Sequence, residues 1–200
     1  MTRNRAILAA TSIAAAAALL VAGCDSDQPA DPSPEPTQTS ASPETPASPT
    51  PSPTPTVKAP ERPKAMDDDG PAGAEAAAVY FLELDDYIMK TGDTAEWEAM
   101  SLKSCDRCSA RLEQAQGIAN RGEAWKGGEI RAQVLHTYEQ DLATGVWPVD
   151  VEVKVAPVEL TDKDGKVVFS EGANRAKSRI EMTRQDNRWV VLGVGDIPGS

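Results

Sequence analysis

The chain has 200 residues and a formal net charge of −11, from 31 Asp and Glu against 20 Lys and Arg. So acidic a chain is a poor candidate for binding nucleic acid or anionic lipid headgroups, because its own field repels both. No repeat occurs at solenoid or propeller periods, which excludes those arrays.

Arg3 and Arg5 precede an uncharged run from Ala6 to Ala22, rich in Ala, Leu, Ile and Val. This is the layout of a secretory signal peptide. The run ends in Leu20, Val21, Ala22, Gly23 and Cys24. Small side chains at 22 and 23 leave room for a peptidase at the backbone, and the thiol that follows is a good nucleophile for diacylglyceryl transfer. The pattern resembles the lipobox of bacterial lipoproteins. That resemblance implies removal of residues 1–23, lipidation of Cys24, and a lipid anchor holding the mature protein on the extracytoplasmic face of the cell membrane. The competing reading is an uncleaved transmembrane helix. For that, the run is near the lower limit of roughly 17–25 residues, and Ala inserts weakly. Each buried methylene contributes roughly 0.8 kcal/mol, so two or more acyl chains on one residue anchor stably.

Residues 24–64 change composition abruptly. Residues 43–56 read PETPASPTPSPTPT and bury too little apolar surface to offset chain entropy. Proline fixes φ and removes backbone donors, so a disordered stalk of polyproline II character is expected. Fully extended, at about 3.1 Å per residue, it would reach on the order of 120 Å. It would serve as a spacer between membrane and domain, and the Ser/Thr/Pro mixture is also compatible with O-glycosylation.

Residues 65–200 make one domain. Pro71 stands at a first helical position after Gly70, and Asp67 to Asp69 complement the helix dipole. Ala77, Phe81, Leu84 and Ile88 recur at helical spacing, and Gly92 supplies the stop. Asp93 to Glu96 resemble a capping box for a short second helix carrying Trp97 and Met100. A third helix is predicted from Cys105 to Arg121, with Cys108, Leu112, Ala115 and Ala119 on one stripe and Gly122 at its end.

After Gly127 and Gly128 the period changes to two. Ile130, Ala132, Val134, His136 and Tyr138 share one phase; Trp147, Val149, Val151, Val153 and Val155 share another. Both patterns predict half-buried antiparallel strands. Asp164 and Gly165 signal a hairpin turn into Val167, Val168 and Phe169. Ala176, Ser178, Ile180 and Met182 alternate with Lys177, Arg179 and Glu181, and Trp189 to Val194 is apolar on both faces, as in a central strand.

Helices followed by strands predict an α+β fold: three N-terminal helices packed on a curved antiparallel sheet of four to five strands. That order, closing on Trp189, Val190 and Val191, resembles the nuclear transport factor 2-like cone fold. Gly70 with Pro71, Thr91 to Thr94, Ser104 to Cys108 and Gly127 with Gly128 together resemble an actinobacterial lipoprotein family carrying a domain of unknown function of this shape. The resemblance implies location and fold, and no activity.

With Cys24 lipidated, Cys105 and Cys108 form an even pair in an oxidising compartment, most simply a disulfide. A redox CxxC needs a thioredoxin-like βαβ context that the chain lacks, and a zinc half-site needs two more ligands. His136, the only histidine, falls in phase with the inward stripe. There it is either a packed histidine or, as in cone-fold enzymes, an acid or base, although no carboxylate shares that phase. Tyr80, Tyr87, Trp125 and His136 form a candidate pocket, equally readable as a filled core. Asp67 to Asp69 read as a solvated cluster and Asp162 to Gly165 as a turn rather than calcium sites, with no EF-hand Glu. No catalytic set, cofactor or metal site is read. The expected function is a non-catalytic module at the cell envelope that binds an envelope protein, a wall component or a small apolar ligand, with no nucleic acid. The alternatives are a cone-fold isomerase or cyclase using His136, and a thiol–disulfide accessory protein using Cys105 and Cys108.

Overall fold

The computed structural model describes residues 57–199. The expected signal peptide, Cys24 and the Pro-rich stretch up to residue 56 lie outside the described residues. Among the described residues, no helix is long and apolar enough to cross a membrane.

A 3-10 turn, Lys64–Asp67, precedes helix α1, Pro71–Thr91. Pro71 opens α1, where a missing N–H costs nothing. Gly92 ends it at φ 70°, its N–H bonded to the Ile88 carbonyl. Gly73 is obligatory for packing rather than conformation. A Cβ there would stand 1.9 Å from the Asp68 carbonyl oxygen, which also accepts the Trp189 indole N–H at 3.1 Å. Asp67, Asp68 and Asp69 are all exposed, and their carboxylates are not shared. They go separately to Arg62, to the Gly70 N–H and to Arg184.

Helix α2, Ala95–Met100, starts at Thr94 without a capping box, because the Thr94 hydroxyl bonds Glu98 rather than a backbone N–H. Helix α3, Asp106–Arg121, is capped by Cys105, whose Sγ accepts the Cys108 N–H, and it ends at Gly122 with φ 66°. Its buried stripe is Cys108, Ala115 and Ile118, while Ala119 is exposed. The second and third helices meet α1 through Phe81 and Trp97, stacked at 4.0 Å, and the Trp97 indole donates to the Cys108 carbonyl.

Seven strands follow, in two antiparallel sheets rather than one sheet of four or five. The larger sheet runs β2-β3-β6-β7 and comprises Ile130–Thr137, Trp147–Val155, Asn174–Gln185 and Arg188–Gly195. The smaller runs β1-β4-β5 and comprises Ala124–Gly127, Val158–Thr161 and Val167–Glu171. Gly127 and Gly128, at φ 70° and 78°, divide β1 from β2 and so separate the sheets. The β4–β5 turn is built by Asp162, whose carboxylate accepts the N–H groups of Asp164 and Lys166, with Gly165 at φ 82°.

The last strand, β7, is an edge strand, not a central one. Its apolar character has two causes. Trp189 and Val191 are buried in the core, and the free edge is covered where Ser101 bridges Val191 and the Leu102 N–H bonds the Val191 carbonyl. The core joins Ala77, Phe81, Leu84 and Ile88 of α1 to Val149, Val151, Ile180 and Met182 of the sheet.

Candidate ligand cavity

The helices do not close completely on the larger sheet. A cavity of about 450 Å³ lies between them. Phe81 and Leu82 come from α1, Trp97 from α2, and Ala110 from α3; the sheet supplies Ile130, Val153, Val155, Ala176 and Val194. These positions follow from the period-two pattern: the register pairs Ile130 with Val155, Ala132 with Val153 and Val153 with Ala176, so the inward stripes meet on one face.

The polar groups at the cavity lie on α1, α3 and β6. Asp85 of α1 and Arg111 of α3 form a two-pronged ion pair, with Arg111 Nε 2.7 Å from Asp85 Oδ2 and the second prong to Oδ1. The guanidinium also donates to Gln114 at 2.7 Å and lies over the Trp125 ring, 5.4 Å from its centroid. A guanidinium held on three sides loses little freedom when a further acceptor reaches it. Gln114, the exposed Arg107 and Asn174, and Ser178 complete the polar lining.

The four residues expected to share a pocket are not brought together, and none lines this cavity. Tyr80 is buried in the core, where burial pushes its hydroxyl above its ordinary value. The Tyr87 hydroxyl donates to Asp93 at 2.8 Å, away from the cavity, and that hydrogen bond raises its pKa. Trp125 sits on β1, behind Arg111.

His136 stands on the opposite face of the sheet. A β-bulge between Val134 and His136 breaks the alternation, so Thr137 takes the inward phase and donates to Glu75 of α1 at 2.7 Å. The same bulge puts His136 opposite Asp150 in register. Asp150 is 4% exposed and anchors a polar cluster there. Arg179 grips it with two bonds, at 2.7 and 3.0 Å, the Tyr138 hydroxyl donates at 3.1 Å, and His136 meets the Tyr138 ring edge-on. The Arg179 hydrogen bonds hold the Asp150 carboxyl below its ordinary pKa. A carboxylate that accepts three such bonds is committed to holding β2, β3 and β6 together.

A second network fixes the α1 end. Lys90 bonds Asp86 at 2.8 Å and Glu129 at 2.9 Å. Burial pushes the Asp86 carboxyl up, against the pull of Lys90, whereas the exposed Glu129 is lowered by the same lysine. Cys105 and Cys108 are joined in a disulfide, both sulfurs buried. Among the described residues no three His, Cys, Asp or Glu converge as a metal site.

Asp85, Arg111, Phe81 and Trp97 carry this site, and sequence reasoning missed Asp85 and Arg111. They are twenty-six positions apart on two helices, and only tertiary packing pairs them.

The model for the family described as "Family of unknown function (DUF6318)" matches residues 36–195. None of the curated proteins matches the chain. Among solved structures, the intermembrane space region of the chloroplast protein ARC6 is 11% identical, with a TM-score of 0.48 over 62% of this chain and 94% of that one. Aln2 from a Streptomyces species is 16% identical, with a TM-score of 0.37 over 60% of this chain and 85% of that one. A variant of Rd1NTF2_05 is 14% identical, with a TM-score of 0.36 over 59% and 91%. The family match takes in part of the Pro-rich stretch and nearly all of the α+β domain, and the chain belongs to DUF6318, a family of unknown function.

Proposed function

We propose that this protein is an extracytoplasmic lipoprotein, anchored through Cys24, whose domain is a non-catalytic binding module of the nuclear transport factor 2-like type. Its cavity takes a small, mostly apolar ligand carrying one acceptor group. The observation that carries the reading is the lining itself: a cavity of about 450 Å³ with aliphatic and aromatic side chains on nine of its fifteen positions and a preorganised guanidinium, Arg111, among its polar groups. That volume lies within the usual range of roughly 300–1,000 Å³ for small-molecule sites. The order of helices and then strands supports the cone type. The basic, apolar and small-residue order ending at Cys24 supports the anchor.

The carboxylate on the cavity, Asp85, is held by Arg111, no three metal-ligating residues converge among the described residues, and His136 lies outside the cavity. An isomerase or cyclase built on His136 is therefore the weaker reading, as is redox chemistry at a buried disulfide.

Two experiments test the two halves. Titration of the protein with 1-anilinonaphthalene-8-sulfonate, an aromatic body with one anionic group, is expected to give saturable binding with one site, weakened by Arg111→Met. Linear, non-saturable binding would count against a built site. For the anchor, Cys24→Ser is expected to release the protein from the membrane fraction; unchanged retention would disprove lipidation at that residue.

A further inference from the structure

The outer face of the larger sheet carries a charge pattern that folding does not reward. At the end where β2 begins, β3 ends and β6 begins, Arg131 pairs with Lys154 and Lys154 with Arg175, so three cations stand in one cross-strand row. Like charges directly opposite each other are destabilising. In the next row Gln133, Glu152 and Lys177 are neighbours. Four cations thus face one carboxylate, Glu152, which lies 3.5 Å from Lys154 and 3.7 Å from Arg175. Arg131 and Lys177 form no ion pair among the described residues, and all four cations are exposed.

The β4–β5 hairpin springs from this same end, since β5 runs into β6 through Gly172 and Ala173. Strand β5 is an edge strand exposed along its length, with Val168 and Phe169 at 51% and 44% exposure. An exposed apolar edge with no Pro, and no charge before its last residue, is what soluble surfaces avoid. Apolar side chains joined to a cationic row through a two-residue link match the two layers of an anionic bilayer surface, acyl boundary and headgroup.

We propose that this end of the domain docks on an anionic lipid bilayer, with the basic row on the headgroups and the β5 side chains at the acyl boundary. The net charge of −11 makes the chain as a whole a poor binder of anionic headgroups, but charges beyond a Debye length of about 8 Å are largely screened at physiological salt, so the charges nearest the surface govern docking. Local sign decides: the sheet rows carry four cations against Glu152, whereas the hairpin carries Glu159, Asp162, Asp164 and Glu171 against Lys163 and Lys166, so the positive excess lies on the sheet rows alone. A soluble phosphate polymer would satisfy the cations and leave Val168 and Phe169 without a role.

The test is amide hydrogen exchange on the full chain carrying Cys24→Ser, mixed with phosphatidylglycerol or phosphatidylcholine vesicles. Exchange in residues 167–177 is expected to slow severalfold on phosphatidylglycerol and to stay unchanged on phosphatidylcholine. Each Lys or Arg near such a surface is worth about fivefold in affinity, so Arg131→Gln/Lys154→Gln/Arg175→Gln is expected to weaken the effect on the order of a hundredfold. Arg131→Lys/Arg175→Lys should retain it, and Val168→Ser/Phe169→Ser should lose most of it. No slowing on either vesicle, or equal slowing on both, would overturn the proposal. So would equal protection by linear polyphosphate that survives Val168→Ser/Phe169→Ser, which would assign the face to a soluble polyanion.

Discussion

Asp150 shows how one residue can carry both structure and pH dependence. Arg179 and Tyr138 hold its folded-state carboxyl below the ordinary value, and it is almost fully buried. A depressed folded pKa means that the stabilisation is complete above the ordinary Asp value, about 3.9, and is lost as pH falls through the folded value. Asp150→Asn removes that dependence and leaves Arg179 without its partner. The variant is expected to lose roughly 2–4 kcal/mol at neutral pH, and to lose stability less steeply than the parent below about pH 4, in urea unfolding across that range. Gly73 is a second such position. Gly73→Ala forces a Cβ into the Asp68 carbonyl, so α1 or the turn before it must move. Overpacking of this kind costs about 1–3 kcal/mol, read by thermal unfolding. A loss below a few tenths would mean that the turn yields freely.

At the scale of elements, what the sequence made legible was local. Pro71, Gly92 and Gly122 act within one helical turn, and each ends up where its own chemistry puts it. The alternating valines of β3 also take the buried phase, because period two is read over a single strand. What was not legible depends on partners distant in the chain. β1 has four residues, too few for a pattern, and exists because it pairs with β4 some thirty residues later. His136 was assigned to the inner face by alternation, yet one extra residue in the bulge moves it and Tyr138 to the outer face beside Asp150. The edge position of β7 was hidden because Ser101 and Leu102 cover that edge and permit an apolar sequence there. The disulfide belongs to this scale too. Joining residues three apart, it gains little loop entropy, about 2 kcal/mol. It clips the first turn of α3 to its cap, next to the Trp97 hydrogen bond on Cys108. Cys105→Ala/Cys108→Ala is expected to lose about that amount, with faster amide exchange in the first turn of α3. An unchanged midpoint of denaturation would remove any stabilising role.

Across the whole domain, one face of the larger sheet is given to the core and cavity and the other to charge. The division explains why the aromatic residues, grouped by composition, do not share a site. Trp97 and Phe81 border the cavity, Tyr80 is core, Trp125 packs behind Arg111, and Tyr87 bonds Asp93 away from it. It also makes neighbouring positions on β6 a natural pair of probes. Ala176 points into the cavity and Lys177 out of the opposite face. Binding of 1-anilinonaphthalene-8-sulfonate to Ala176→Trp and Lys177→Trp is therefore the most direct measurement of whether the cavity is a ligand site, provided both variants keep cooperative unfolding. The expected result is loss of saturable binding in Ala176→Trp, which fills the space, and parental affinity in Lys177→Trp. Equal affinity in all three proteins, or loss only in Lys177→Trp, would contradict a ligand site between the helices and the sheet.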